Sequence, residues 1–205
     1  MIPSLRAADG RRIPMAVQAA MPSLTRLMSA MSRTTLELWG NGEVLTPSPA
    51  FCAAIAAAPL VRLCYAEAGL FVDFHAGLSL HAAVTRHPTL RHLAVSSNRV
   101  APYGSAAVGA ALALLVAAHS PLTTLCIAAC NLGNHGLLPL IDALPRNTRL
   151  RRLECKYNDI SYCAAARLLA AVLATASLTH LEAAGARINI PELAEAEAVA
   201  AARAT

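Results

Sequence analysis

Large side chains and charges are scarce in this chain. Aromatic residues make up 4% of 205 residues, with a single tryptophan, and only 14% of the chain is charged, against roughly 25% in an average domain. Much of the 56% hydrophobic content is alanine. Such a chain builds its core from small side chains packed closely, which suits stacked helices and strands better than a large irregular cavity. No apolar run approaches the roughly 20 residues of a membrane helix. The longest, AAVGAALALLVAA from Ala106 to Ala118, reads as a buried helix, so no membrane span is expected. A continuous apolar stretch of the secretory type is missing from the N-terminus.

Catalytic and metal-binding motifs are missing too. There is no G-x-S-x-G, no P-loop, no paired-carboxylate motif and no H-E-x-x-H. The seven histidines form no i, i+4 pair. Ser96 and Ser97 lie near His92, but no acid is supplied locally to orient a base. The reading is therefore a non-enzyme with no cofactor, no metal and no small-molecule substrate. Six cysteines include no C-x-x-C, which argues against structural zinc. Their places in the pattern described below predict six reduced thiols and a cytoplasmic location.

The net charge of +5 is unevenly spread. Arg6, Arg11, Arg12, Arg26 and Arg33 face one acid, Asp9, in the first 33 residues, whereas the remainder carries 12 basic and 11 acidic residues. That lead-in has the composition of a mitochondrial transit peptide. Pro3, Pro14 and Pro22 argue against one long amphipathic helix, and residues 1–32 are read as a lead-in with a capping helix.

What the chain does have is an internal repeat. Residues 90–100 read LRHLAVSSNRV, the pattern L-x-x-L-x-L-x-x-N-x-L. Related stretches occur at 60–70 (LVRLCYAEAGL), 122–132 (LTTLCIAACNL), 150–160 (LRRLECKYNDI) and 178–188 (LTHLEAAGARI), with a degenerate copy at 33–43 (RTTLELWGNGE). The six starts are separated by 27, 30, 32, 28 and 28 residues. In each unit the apolar residues at positions 4 and 6 point inward from a short strand. Position 9 lies where the chain bends away, and buried backbone groups there need partners. An asparagine can both donate and accept, so Asn41, Asn98 and Asn158 are read as structural ladder residues. Cys130 fills the equivalent place with less hydrogen bonding.

Helical stretches separate the strands: Pro47 to Ala58, Phe74 to His87, Gly104 to His119, Gly136 to Leu144 with Pro139 near its first turn, Ser161 to Ala176 with Ser161 as N-cap, and Pro191 to Ala204. Alternating strand and helix at this period predicts an α/β fold, a right-handed β/α solenoid of about six repeats of 27–32 residues spanning 33–205. Small alanines let the outer helices approach while the strands keep their spacing of about 4.8 Å, which bends the array into a horseshoe. Cys64 and Cys126 then sit two strands apart, about 9 to 10 Å, too far for a bridge. Glu192, Glu195 and Glu197 suggest a polar cap on the last helix.

These residues resemble a leucine-rich repeat protein of the ribonuclease-inhibitor-like subclass. Asparagine at position 9 of the odd units alternates with Ala68, Cys130 and Ala186 in the even ones, as in the paired repeat types of that subclass. The resemblance implies a fold and leaves the ligand open. Fold analogy points to a scaffold or adaptor that binds another protein on the concave strand face. The side chains expected to contribute are Trp39, Arg62, Arg91, His92, Arg152, Lys156 and Tyr157, which include typical anchor types. Acids mixed among these bases disfavour nucleic acid. The alternative reading is a structural subunit of a large ribonucleoprotein or organelle assembly, anchored by the Arg-rich N-terminus.

Overall fold

The computed structural model describes residues 4–6, 12–14, 34–40, 44–116, 120–184 and 190–204. Six parallel strands stand side by side in chain order: β3 (Thr35–Trp39), β4 (Arg62–Ala66), β5 (His92–Ala94), β6 (Thr124–Cys126), β7 (Arg152–Glu154) and β8 (His180–Glu182). Each is followed by a helix: α1 (Pro49–Ala57), α2 (Phe74–Thr85), α3 (Ser105–Leu115), α4 (Gly133–Ala143), α5 (Tyr162–Ala174) and α6 (Pro191–Ala201). Two more strands, β1 (Ser4–Arg6) and β2 (Arg12–Pro14), form a hairpin that joins β3 antiparallel. The lead-in thus supplies sheet as well, which no alternation in its sequence announced. The capping helix expected there falls outside the described residues.

Register follows from burial. The second residue of every parallel strand is a leucine, and Leu36, Leu63, Leu93, Leu125, Leu153 and Leu181 pair in one row across the sheet. All six are buried. A slip of one residue would turn this row to the opposite face. Burying each leucine is worth roughly 1.5–3 kcal/mol, so the register is strongly set. The helices complete the core with residues such as Ile55, Leu80, Leu112, Leu140, Leu168 and Leu193.

Helix starts are set by local chemistry. Ser48, Asp73 and Ser161 each cap a helix by accepting from the backbone N–H three residues on, at Phe51, Ala76 and Ala164. Pro49 and Pro191 lie in first turns, where their missing N–H costs little. Pro139 differs from expectation. α4 begins at Gly133, so Pro139 falls inside the helix rather than near its first turn. α3 and α4 pack through glycine: a Cβ on Gly109 would lie 2.3 Å from the Gly136 carbonyl oxygen.

The bends after the strands show how the ladder positions work. Asn98 is fully buried. Its Oδ1 accepts from Ala68 N (3.1 Å) and Leu70 N (3.0 Å), while Nδ2 donates to Tyr65 O (2.6 Å) and Val95 O (2.9 Å), with a longer contact to Ser96 O at 3.3 Å. Asn158 repeats the arrangement one pair of units later. It accepts from Cys130 N and Leu132 N (3.0 and 3.2 Å) and donates to Ile127 O and Cys155 O (2.8 and 2.9 Å). Each asparagine therefore serves its own bend and the one before it. Cys130 keeps part of this role through its thiol, which donates to Val95 O at 3.2 Å. Asn41 lies outside the described residues. At the last strand a helix side chain takes over: Glu197 Oε1 accepts from Ala183 N (2.6 Å) and Ala184 N (2.9 Å).

Candidate functional site

The exposed face of the sheet is built from the residues that alternate with the leucine row. One row in register is Thr35, Arg62, His92, Thr124, Arg152 and His180. Two residues further along the strands runs Glu37, Cys64, Ala94, Cys126, Glu154 and Glu182. The mixture of charges read from the sequence is thus sorted by register: bases with hydroxyls in one row, acids with thiols in the next. Beyond them come Trp39 and Ala66, then Ser96, Ala128 and Lys156 at the strand exits. The following residue takes a left-handed backbone at Glu67, Ser97, Ala129 and Tyr157, with φ between 51° and 60°.

The two charged rows meet in ion pairs. Arg62 Nε lies 3.5 Å from Glu37 Oε1. Arg152 bridges two strands, with Nε 2.5 Å from Glu154 Oε1 and Nη2 2.9 Å from Glu182 Oε1. Lys156 also holds Glu182, and His180 Nε2 is 3.1 Å from Glu182 Oε1. Hydrogen bonds from Lys156 and His180 hold the Glu182 carboxyl down at about 2, and the bond to Glu182 raises the Lys156 ammonium. Burial pulls Glu154 upward, but the Cys126 thiol and Arg152 outweigh it and leave the carboxyl below its usual range. Burial, reinforced by Arg62, lowers His92. Pairs this exposed add little to stability; their larger effect is to orient the side chains.

Trp39, Arg62, His92 and Arg152 line one depression of about 510 Å³, with Cys64, Ser96, Ser97, Thr124, Cys126 and Glu154 among the other residues around it. Arg91, Lys156 and Tyr157 lie outside that lining. Arg91 Nη1 donates to the carbonyls of Pro88 and Leu90 (3.2 and 3.3 Å) at the edge where β5 begins. Tyr157 is 58% exposed at the opposite edge. Trp39 turns its indole Nε1 into a buried position with no hydrogen-bond partner among the described residues. Arg152 and Lys156, read from the sequence as partner-binding side chains, are paired with Glu154 and Glu182, because β8 brings Glu182 alongside them.

The sequence reading did not single out Cys126 and its surroundings. The thiol donates to Glu154 Oε2 at 2.9 Å and lies 2.9 Å from Ser96 Oγ. The only signal in the sequence was the shared position of Cys64 and Cys126. Burial pushes Cys64 up to about 12 and raises Cys126 as well, opposite to the shift that activates a nucleophilic thiol. All six cysteines are free. Among the described residues, no group of three or more His, Cys, Asp or Glu side chains is placed to hold a metal ion, and no helix is long and apolar enough to cross a membrane.

No family model matches the chain, and no curated protein matches it. Among solved structures, it is similar to one described as "Leiomodin-1 Actin-Binding Site 2 (ABS2)", with a TM-score of 0.49 and 14% sequence identity over 62% of this chain and 70% of that one.

Proposed function

We propose that this chain is a leucine-rich repeat protein of the ribonuclease-inhibitor-like subclass, a cytoplasmic scaffold or adaptor whose sheet face binds another protein without catalysis. Its β/α units then form a right-handed solenoid curved into a horseshoe, with the strand face on the concave side. The observation that carries the reading is the depression lined by Trp39, Arg62, His92 and Arg152. Six strands in one register hold these side chains on a rigid backbone while the leucine row takes the core. Ion pairs pre-set the charged groups, which lowers the ordering cost of binding. Trp39 and Tyr157 supply the large contact area typical of interface anchors.

Affinity purification followed by mass spectrometry identifies the partner, and calorimetry with that purified partner tests the surface. The Trp39→Ala/Tyr157→Ala variant binds at least tenfold more weakly, while Leu173→Ala, on the exposed surface of α5, binds as the unaltered protein does. Equal affinity for all three proteins would refute the assignment of the partner to the sheet face.

A further inference from the structure

Among the described residues, the segments that lead into the parallel strands from β4 to β8 carry no acid. Residues 58–62, 86–92, 120–124, 144–152 and 175–180 contain no Asp or Glu. Within them stand Arg86, Arg91, Arg146, Arg149 and Arg151, of which all but the half-buried Arg91 are exposed. Among the described residues, none of the five pairs with a carboxylate; the arginines that do are Arg62, Arg152 and Arg167. The opposite edge, where the strands end, carries Glu67, Asp73 and Asp159. Arg99 and Lys156 also stand at that exit edge, so bases and acids mix there, whereas the segments at the strand starts hold bases alone.

The arrangement repeats. RHPTLRH (86–92) and RNTRLRR (146–152) share arginines at the first and sixth positions. Backbone hydrogen bonds place Arg91, Thr123 and Arg151 in one row, from Thr123 N to Arg91 O and from Arg151 N to Thr123 O, each 2.8 Å. The two clusters thus lie two strands apart, about 10 Å. Cations near helix C-termini complement the helix dipole, which accounts for Arg86 and Arg146. It does not account for Arg91, Arg149 and Arg151, which follow the helices and lead into the strands. Arg91 and Arg151 are aimed by bonds to carbonyls, Arg151 Nη1 reaching Ser177 O at 2.9 Å, and each guanidinium keeps further donors free.

We propose that this rim binds an acidic protein segment, rich in Asp and Glu, lying in extended form across the starts of the strands. In a polyproline-II segment, residues three apart face the same way and lie about 9 Å apart, close to the spacing of the two clusters, and a guanidinium fork matches a carboxylate bidentately. Single-stranded nucleic acid fits less well. The rim segments contain no Phe, Tyr or Trp on which bases could stack, and Thr123 and Thr124 interrupt the positive charge. This inference builds on the reading of the sheet face as a protein-binding surface and names the chemistry of one part of the partner.

The test uses the full chain and a fluorescein-labelled decamer of glutamate, with decaglutamine and a twelve-nucleotide oligothymidylate as comparisons, in anisotropy titrations at low salt. Decaglutamate binds, decaglutamine does not, and the oligothymidylate binds more weakly than decaglutamate. Arg91→Glu/Arg151→Glu weakens peptide binding at least tenfold. Arg99→Glu/Arg167→Glu, away from the strand starts and with the same net charge, weakens it less than threefold. Arg91→Gln/Arg151→Gln replaces the reversal should that variant not fold. Equal weakening by the two charge-matched variants, indifference to glutamate over glutamine, or tighter binding of the oligothymidylate overturns the proposal. Trp39→Ala/Tyr157→Ala keeps peptide binding. If the peptide fails to bind while that variant still loses its protein partner, the rim assignment falls and the face assignment stands.

Discussion

Asn98→Leu removes a side chain of nearly the same size and with it four buried hydrogen bonds, to the N–H groups of Ala68 and Leu70 and the carbonyls of Tyr65 and Val95; of these groups Val95 O keeps the Cys130 thiol. A net hydrogen bond is worth about 1 kcal/mol, and a buried group left unpaired costs more. Four short bonds therefore predict a loss of about 4 kcal/mol, a large share of the 5–15 kcal/mol of a typical domain. Urea unfolding followed by far-ultraviolet circular dichroism measures it. With a slope of about 2 kcal/mol per molar urea, the midpoint falls by about 2 M at unchanged slope. Asn158→Leu should match it within about 1 kcal/mol, because Asn158 makes the same four bonds. Asn134→Ala loses a single acceptor bond from Ser161 N and should cost about 1 kcal/mol. A midpoint for Asn98→Leu equal to that of Asn134→Ala would refute the reasoning, since four buried bonds would then weigh no more than one.

Three further outcomes follow from packing and ionisation. Alanine normally favours a helix over glycine by about 1 kcal/mol, yet Gly109→Ala should destabilise by about 2 kcal/mol or more, since its Cβ would sit 2.3 Å from Gly136 O; a raised melting temperature would contradict this. His81 is buried against Phe71 with neither ring nitrogen hydrogen-bonded, and burial lowers it to about 4 from 6.5. It stays neutral in the fold while the unfolded chain takes up a proton below about pH 6.5. Its contribution is therefore full above that pH and lost as pH falls toward 4, by about 3 kcal/mol in total. His81→Leu should remove that part of the acid dependence and raise stability at pH 7 by about 1 kcal/mol or more; parallel stability-against-pH curves for the two proteins would contradict it. Glu197→Ala removes the acceptor of the part-buried Ala183 N–H and the exposed Ala184 N–H and should cost about 1 kcal/mol, visible as faster amide exchange at Leu181 to Ala184 than elsewhere in the sheet.

Leucine spacing carried most of what could be read beforehand. Leu63, Leu93, Leu125, Leu153 and Leu181 recur at the fourth position of each unit, and burial of one leucine per strand is enough to set a parallel register. Asn98 and Asn158 were legible because few side chains can satisfy donors and acceptors at one buried bend. Pairing across strands was not. Whether Arg152 and Lys156 stand free depends on what β8 places beside them, and Glu182 is 26 to 30 residues away in sequence. The same dependence hid the sorting of bases from acids, since a list of exposed residues contains both. Pro139 was misplaced because the Gly133 start of α4 has no capping side chain to announce it. His81 and Glu197 lie on helices whose many alanines blur the buried stripe, so no periodic signal marked the one as buried or aimed the other at β8.

The central claim is that a protein partner lies on the sheet face. Photo-crosslinking tests it most directly, with benzoylphenylalanine placed in turn at Tyr157, at Trp39 and at Leu173 on the outer surface of α5. The account predicts crosslinks to one partner from positions 157 and 39 and none from 173. Crosslinks from Leu173 alone would contradict it, because the partner would then sit on the helices rather than the strands.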